Sequence, residues 1–205
     1  MALTTFVAGN VLTAAQLNDS FAAVGGARAV VLTSVTVTGA GSSGSVGTNG
    51  TVTFGTAATV SLNGCFSSSF RNYLVICDMT YSTTGVNGQM RMRAAGTDNS
   101  AANSYIRQQL YATSTTVGAS RTTSNEWASV FSGSSGYTAG WMAVFYRPFL
   151  TDLSSVQTTV MDTQSGAQVD VCTGTHNVSA SYDGFSFYPN SGTISGTVTV
   201  YGLFG

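Results

Sequence analysis

Arg28-Ala29-Val30-Val31-Leu32-Thr33-Ser34-Val35-Thr36-Val37 is where the chain changes its period from 3.6 to 2. Val31, Thr33, Val35 and Val37 alternate with Leu32, Ser34 and Thr36, and β-branched side chains of this kind fit a pleated surface, so the stretch reads as a strand. Strand-like segments then recur at Thr51 to Phe54, Thr59 to Leu62, Tyr73 to Tyr81, Gln89 to Ala94, Tyr105 to Tyr111, Trp127 to Phe131, Trp141 to Phe149, Val156 to Met161, Gln168 to Cys172, Gly184 to Tyr188 and Thr193 to Tyr201. Nearly all are separated by Gly, Ser, Thr or Asn turns. Many short strands between turn clusters, with no second amphipathic helix of useful length, indicate an all-β fold, an antiparallel sandwich, and exclude α/β layering. Pro148 has no N–H to give a ladder and marks an edge strand or bulge in the run that contains it.

Upstream of this switch the pattern is helical. Thr13-Ala14-Ala15-Gln16 fits a capping box, and Leu12 and Leu17 sit where a hydrophobic staple belongs. Leu17, Phe21 and Val24 then fall at i, i+4 and i+7 on one face, and Gly25-Gly26 supplies a left-handed stop, so a short helix is predicted over Thr13 to Val24. Three turns are marginal alone in water, so the apolar stripe must dock on its own domain, on symmetry mates or on a host structure. Leu12, Leu17, Phe21 and Val24 are therefore candidate attachment residues. The run Gly39 to Gly50 is a flexible or turn-rich connector. The expected organisation is an anchoring segment with the short helix (1–26), a β-rich connector (27–62) and a β-sandwich domain (63–205), with no internal repeat.

Composition says what surrounds such a fold. Charged residues make up 7% of the 205, lysine is absent and Glu126 is the single glutamate, against roughly 25% charge in an ordinary soluble domain. Lysine on strand edges and scattered surface charge are the usual defences against edge-to-edge association. A chain that omits both belongs to an assembly. A net charge of -1 and seven arginines scattered from Arg28 to Arg147 argue against nucleic acid as a partner, because phosphate neutralisation needs clustered cations. The start has no basic n-region, and no stretch approaches ~18 consecutive apolar residues, so neither a secretory signal nor a membrane span is expected. Cys65, Cys77 and Cys172 are an odd set without metal or redox spacing and are expected as buried thiols, a Cys65 to Cys77 bridge being the alternative.

Three stretches carry a resemblance. Phe66-Ser-Ser-Ser-Phe-Arg-Asn-Tyr-Leu-Val-Ile76, Met90-Arg-Met-Arg-Ala-Ala-Gly-Thr97 with Tyr105 after it, and Asp183-Gly-Phe-Ser-Phe-Tyr188 followed by Ser191-Gly-Thr-Ile-Ser-Gly-Thr-Val-Thr-Val-Tyr-Gly202 resemble a recurrent β-sandwich of tailed-bacteriophage structural proteins. Phe6-Val-Ala-Gly-Asn-Val-Leu-Thr-Ala-Ala-Gln-Leu-Asn18 is similar to the opening of many phage tail and fibre proteins. The resemblance covers both ends of the chain and most of the sandwich. It implies a virion appendage of jelly-roll type, often a homotrimer, without fixing its place on the particle.

Catalytic patterns are scarce. Gly39-Ala-Gly-Ser-Ser-Gly44 matches G-x-G-x-x-G literally, but a dinucleotide site needs a helix start after the glycines and an acidic residue ~20 positions on. No acidic residue lies between Asp19 and Asp78. Absence of lysine removes Walker cradles and Schiff-base chemistry. His176 is the sole histidine, so a multi-histidine metal site is excluded and a Ser-His-Asp triad has no G-x-S-x-G to accompany it. Asp162, Asp170 and Asp183 are candidate carboxylates for glycoside hydrolysis, and Asp98-Asn99 for calcium, but aspartates beside Gly, Thr and Ser serve more often as turn formers.

Arg91 and Arg93, two apart on one strand, share a face opposite Met90 and Met92. They are either a solvent face or a pair of forks for a partner's carboxylate or main chain across a subunit interface. Tyr137, in Ser132-Gly-Ser-Ser-Gly-Tyr137, is a loop-tip residue and a possible ligand contact, whereas Trp141 belongs to the core.

These readings converge on a non-enzymatic virion structural protein, made in the host cytoplasm. Its N-terminal segment would attach to other virion proteins of the tail, portal or collar, or capsid, and its sandwich would present loops to a host-surface glycan or protein. No cofactor or metal is expected. A capsid-decoration or head-fibre protein is the alternative within the particle, and a polysaccharide depolymerase the alternative outside this class.

Overall fold

The computed structural model describes residues 27–30, 32, 34–113, 115–162 and 168–203. Among the described residues there is no helix, and the fold is carried by sixteen strands. They are β1 (Ala27–Ala29), β2 (Ser34–Thr38), β3 (Ser43–Val46), β4 (Val52–Ala57), β5 (Thr59–Asn63), β6 (Asn72–Tyr81), β7 (Val86–Ala94), β8 (Thr97–Asp98), β9 (Tyr105–Thr113), β10 (Thr116–Ser124), β11 (Trp127–Gly133), β12 (Thr138–Tyr146), β13 (Asp152–Asp162), β14 (Gln168–Ala180), β15 (Gly184–Pro189) and β16 (Ile194–Leu203). The helix predicted over Thr13 to Val24 lies outside the described residues.

Two antiparallel sheets form the molecule. The larger has ten strands, β10-β9-β14-β13-β12-β6-β16-β4-β3 with β1 also paired to β16; the smaller has six, β11-β7-β15-β5-β2 with β8 paired to β7. If β4, β5, β6, β7, β11, β12, β15 and β16 are counted first to eighth, one sheet carries them in the order 1-8-3-6 and the other in the order 2-7-4-5. Four further strands, β13, β14, β9 and β10, extend the larger sheet past β12.

The period of two explains why these segments pair as they do. In β6, Tyr73, Val75, Cys77, Met79 and Tyr81 are buried while Asp78 and Thr80 are exposed; in β12, Ala139, Trp141, Ala143 and Phe145 alternate with exposed Met142 and Tyr146. Slipping either strand by one residue would turn its whole apolar set to water, so register is strongly specified. Rings from the two sheets meet in the shared core, Phe145 with Phe185 at 4.8 Å between centroids, Phe54 with Phe187 at 5.5 Å and Phe131 stacked on Trp141 at 5.6 Å. Gly88 of β7 leaves the room this needs: a Cβ there would come 1.9 Å from the Phe131 ring.

Residues 27–62, expected as a β-rich connector, supply β1 to β5, and Val52, Phe54, Val60 and Leu62 are buried in the core. Pro148 falls just after β12 in the turn towards β13, so its missing N–H interrupts no ladder. Cys65, Cys77 and Cys172 are free and buried.

Candidate functional surfaces

Three loops gather at one end of the sandwich: 82–85 between β6 and β7, 134–137 between β11 and β12, and 190–193 between β15 and β16. They are knitted by short-range polar contacts. Ser135 N donates to Thr83 O at 2.8 Å, Gly85 N to Ser134 Oγ at 3.0 Å, Thr193 N to Ser82 Oγ at 2.8 Å, and Asn190 and Asn87 exchange two bonds of 2.9 Å. Gly136, at φ 83°, takes the left-handed turn that lifts Tyr137 to the loop tip, where the ring is 41% exposed. The result is a Ser- and Thr-rich rim, cross-braced and holding one exposed aromatic ring. β16 starts beside this rim at Ile194 and ends at Leu203, which pairs with Ala27 of β1. The chain therefore enters the sandwich at the end opposite Tyr137, about 30 Å away at 3.3 Å per strand residue.

Arg91 and Arg93 project from the outer face of the smaller sheet, opposite fully buried Met90 and Met92. Arg91 pairs with Glu126 at 2.9 Å and lies over the Tyr188 ring, while Gln89 and Tyr188 also donate to Glu126. Burial, followed by the neighbouring Glu126, pushes the Tyr188 phenol well above its ordinary range, so it stays a donor. Arg93 pairs with Asp98 at 2.5 Å and donates to Asn63 Oδ1 at 2.7 Å and to Gly96 O; Asp98 also accepts from Ser186 at 2.7 Å. Both guanidinium groups are thus engaged within the chain, where they brace β7 against β5, β8, β15 and the turn before β11.

The extension of the larger sheet is lined on its inner side by polar residues. Arg107, Gln109 and Asp170 are all buried. Arg107 donates to Gln109 Oε1, to Ser120 Oγ at 2.9 Å and to Thr122 Oγ1 at 3.3 Å, and the Gln109 amide donates to both Asp170 oxygens at 2.7 Å. Gln109 therefore carries the interaction between a buried cation and a buried anion. Burial raises the Asp170 pKa and these donors oppose the rise. The adjacent Cys172 thiol is pushed up to about 11, chiefly by burial and then by Asp170, which leaves it a poor nucleophile.

His176 is fully buried and stacks on Tyr105 with ring centroids 4.0 Å apart. Its Nδ1 faces Ser104 O at 3.2 Å, and a carbonyl only accepts, so Nδ1 carries the proton and Nε2 accepts from Tyr182 OH at 2.7 Å. Burial lowers its pKa. A neutral, satisfied imidazole with no serine hydroxyl on it is a packing element. Asp170 stands near the start of β14 and Asp183 beyond its end, more than about 30 Å along the strand direction, whereas glycosidic carboxylates work at ~5 to 9.5 Å. Asp183 instead accepts from Ala95 N. Among the described residues no group of three His, Cys, Asp or Glu is placed to hold a metal ion, and no helix is long and apolar enough to cross a membrane.

Of the residues singled out in the sequence, Tyr137 stands on the rim, Arg91 and Arg93 stand together on the smaller sheet, and Leu12, Leu17, Phe21 and Val24 lie outside the described residues. Fold and surface define the class: an antiparallel two-sheet β-sandwich with one sheet broadened by two strand pairs, β9–β10 and β13–β14. Comparison with protein-family models and with curated proteins finds no match.

Proposed function

We propose that this chain is a bacteriophage virion structural protein, a tail or fibre component that attaches through its N-terminal segment and presents the sandwich for host-surface binding without catalysis. The observation that carries this reading is polarity: the chain enters at Ala27 beside Leu203, and the braced rim bearing Tyr137 is at the other end of the same strand. Attachment and presentation are thereby separated along one rigid body. The strand order 1-8-3-6 over 2-7-4-5 supports the jelly-roll form of the sandwich, since successive strands lie in opposite sheets except for the fourth and fifth, which pair side by side. The lysine-free, nearly uncharged composition suits a component whose surfaces are covered by neighbours.

Two variants assembled into particles test it. Phe21→Asp places a charge in the proposed attachment stripe and is expected to leave the sandwich folded but absent from purified particles. Tyr137→Ala is expected to keep normal copy number while reducing adsorption to host cells about tenfold or more, the loss of an exposed ring from a recognition site. Particles that carry Phe21→Asp at normal copy number and adsorb normally with Tyr137→Ala would overturn the reading.

A further inference from the structure

The outer face of the larger sheet changes character along its strands. In the two rows nearer the Tyr137 rim, Leu110, Met142 and Met161 stand exposed. The next two rows are mostly polar: one runs from Arg121 through Gln108, Thr173 and Gln157 to Val144, the other from Thr123 through Ile106, Thr175 and Ser155 to Tyr146. They enclose a trough of about 290 Å³. Short Thr173, Thr175 and Ser155 form its floor, and Gln108, Gln157 and Ile106 flank them. Arg121 on β10 and the 39% exposed Tyr146 on β12 stand at its two ends, about 19 Å apart at about 4.8 Å per strand.

The polar groups of this trough are unused within the chain. Among the described residues the two amides, the three floor hydroxyls, the Tyr146 phenol and the Arg121 guanidinium make no side-chain hydrogen bond, and Arg121 belongs to none of the ion pairs. Arg91, Arg93 and Arg107, by contrast, each hold several partners in the chain. No lining residue carries a carboxylate, so the Arg121 charge has no counter-charge in the trough.

We propose that the trough binds a carboxylate-bearing oligosaccharide. The Arg121 fork takes the carboxylate in a bidentate pair. Gln108 and Gln157, whose amides both donate and accept, bind ring hydroxyls, and the Tyr146 ring packs against the C–H face of a further sugar at the other end. One guanidinium without a second cation matches a single negative charge rather than the roughly two of a phosphate monoester. A nucleic acid needs clustered cations, which the trough lacks. A peptide has no edge to join, because β9, β14, β13 and β12 are interior strands paired on both sides, and amide walls are not an apolar pocket for an anchor side chain.

Tyr146 is eight residues along β12 from Thr138, which places the trough about 26 Å from the Tyr137 rim. It is a second surface, and its ligand binding does not depend on the virion role proposed above.

Isothermal titration calorimetry of the purified full chain tests it. The probes are tetragalacturonate with its methyl ester and sialyllactose with lactose, two acidic sugars, one with internal and one with terminal carboxylate, each with a neutral partner. The expected result is a Kd of about 1 mM or tighter for at least one acidic sugar, and at least tenfold weaker binding of its neutral partner. Arg121→Gln should remove that preference, and Tyr146→Ala should weaken the acidic sugar about tenfold. Both side chains are exposed and make no contact that holds the fold, so the circular dichroism spectrum should be unchanged. Tyr137→Ala should leave the affinity as it was; a loss with that variant would place the sugar at the rim and overturn the trough. Neither acidic sugar binding at about 10 mM, a neutral partner bound equally well, a preference that survives Arg121→Gln, or indifference to Tyr146→Ala would also overturn the proposal.

Discussion

Gly174 shows how closely single residues are specified. It lies on β14 beneath Trp127, and a Cβ there would come 2.6 Å from the indole Nε1, which donates to Thr175 O. Gly174→Ala should therefore destabilise the fold by about 1 to 3 kcal/mol, the usual cost of overpacking a filled core, measured as a shift in denaturant midpoint. A loss under a few tenths of a kcal/mol would mean that Trp127 moves freely. His176 makes a second prediction through its burial-lowered pKa. The folded state disfavours the imidazolium, so the unfolded chain binds the proton more readily. Stability is full above the ordinary imidazole value of 6.5 and falls as pH drops below it. Chemical denaturation between pH 7.5 and 5.5 should show this slope, and His176→Gln should flatten it. The sequence marked His176 as non-catalytic, but the aromatic stack and the Ser104 and Tyr182 contacts that hold it depend on residues up to 72 apart and carry no local signature.

At the scale of elements, the strands most legible in the sequence were those with a buried apolar face. Tyr73 to Tyr81 is β6 within one residue, Thr59 to Leu62 is β5, and Gly184 to Tyr188 is β15. The Pro148 run was read three residues too far, because Phe149 looks like strand core but follows the turn that starts at Arg147. β3 and β10 were not anticipated. Both are edge strands made mostly of Gly, Ser, Thr and Ala with little apolar alternation, and β10 turns Ser120 and Thr122 inward to Arg107 rather than apolar side chains. Hydrophobic periodicity cannot register a strand whose inner contacts are polar. Exposed Met142, Met161 and Leu110 escaped for the converse reason: in the Trp141-Met142 pair one side chain faces the core and the next faces outward, and composition alone does not say which faces outward. The polar lining yields a prediction. Asp170→Ala removes the acceptor of both Gln109 bonds and leaves the buried Arg107 cation without its counter-charge, at a cost of about 3 kcal/mol or more. Hydrogen exchange should report it first as lost protection in β9 and β10. Protection unchanged there would show that the network is not what holds the extension to the sheet.

For the molecule as a whole, the fold separates three regions: an entry end at Ala27, a rim at Tyr137 and a broad, almost uncharged sheet face. The missing lysines raise the expectation of an assembly component and the glycine-flanked loop that of an exposed Tyr137, but neither reveals that entry and rim lie at opposite ends, since that follows from the pairing of β1 with the far end of β16. The two arginines weighed as interface forks are each paired within the chain, with Glu126 and Asp98. The central claim is that this architecture works as an attached, outward-presenting component of a virus particle. Locating the chain in a density map of the complete particle tests it most directly. The account predicts symmetric exterior copies with the Ala27 end towards the particle and the Tyr137 rim outward; particles lacking the chain, or copies with the rim buried against the particle, would contradict it.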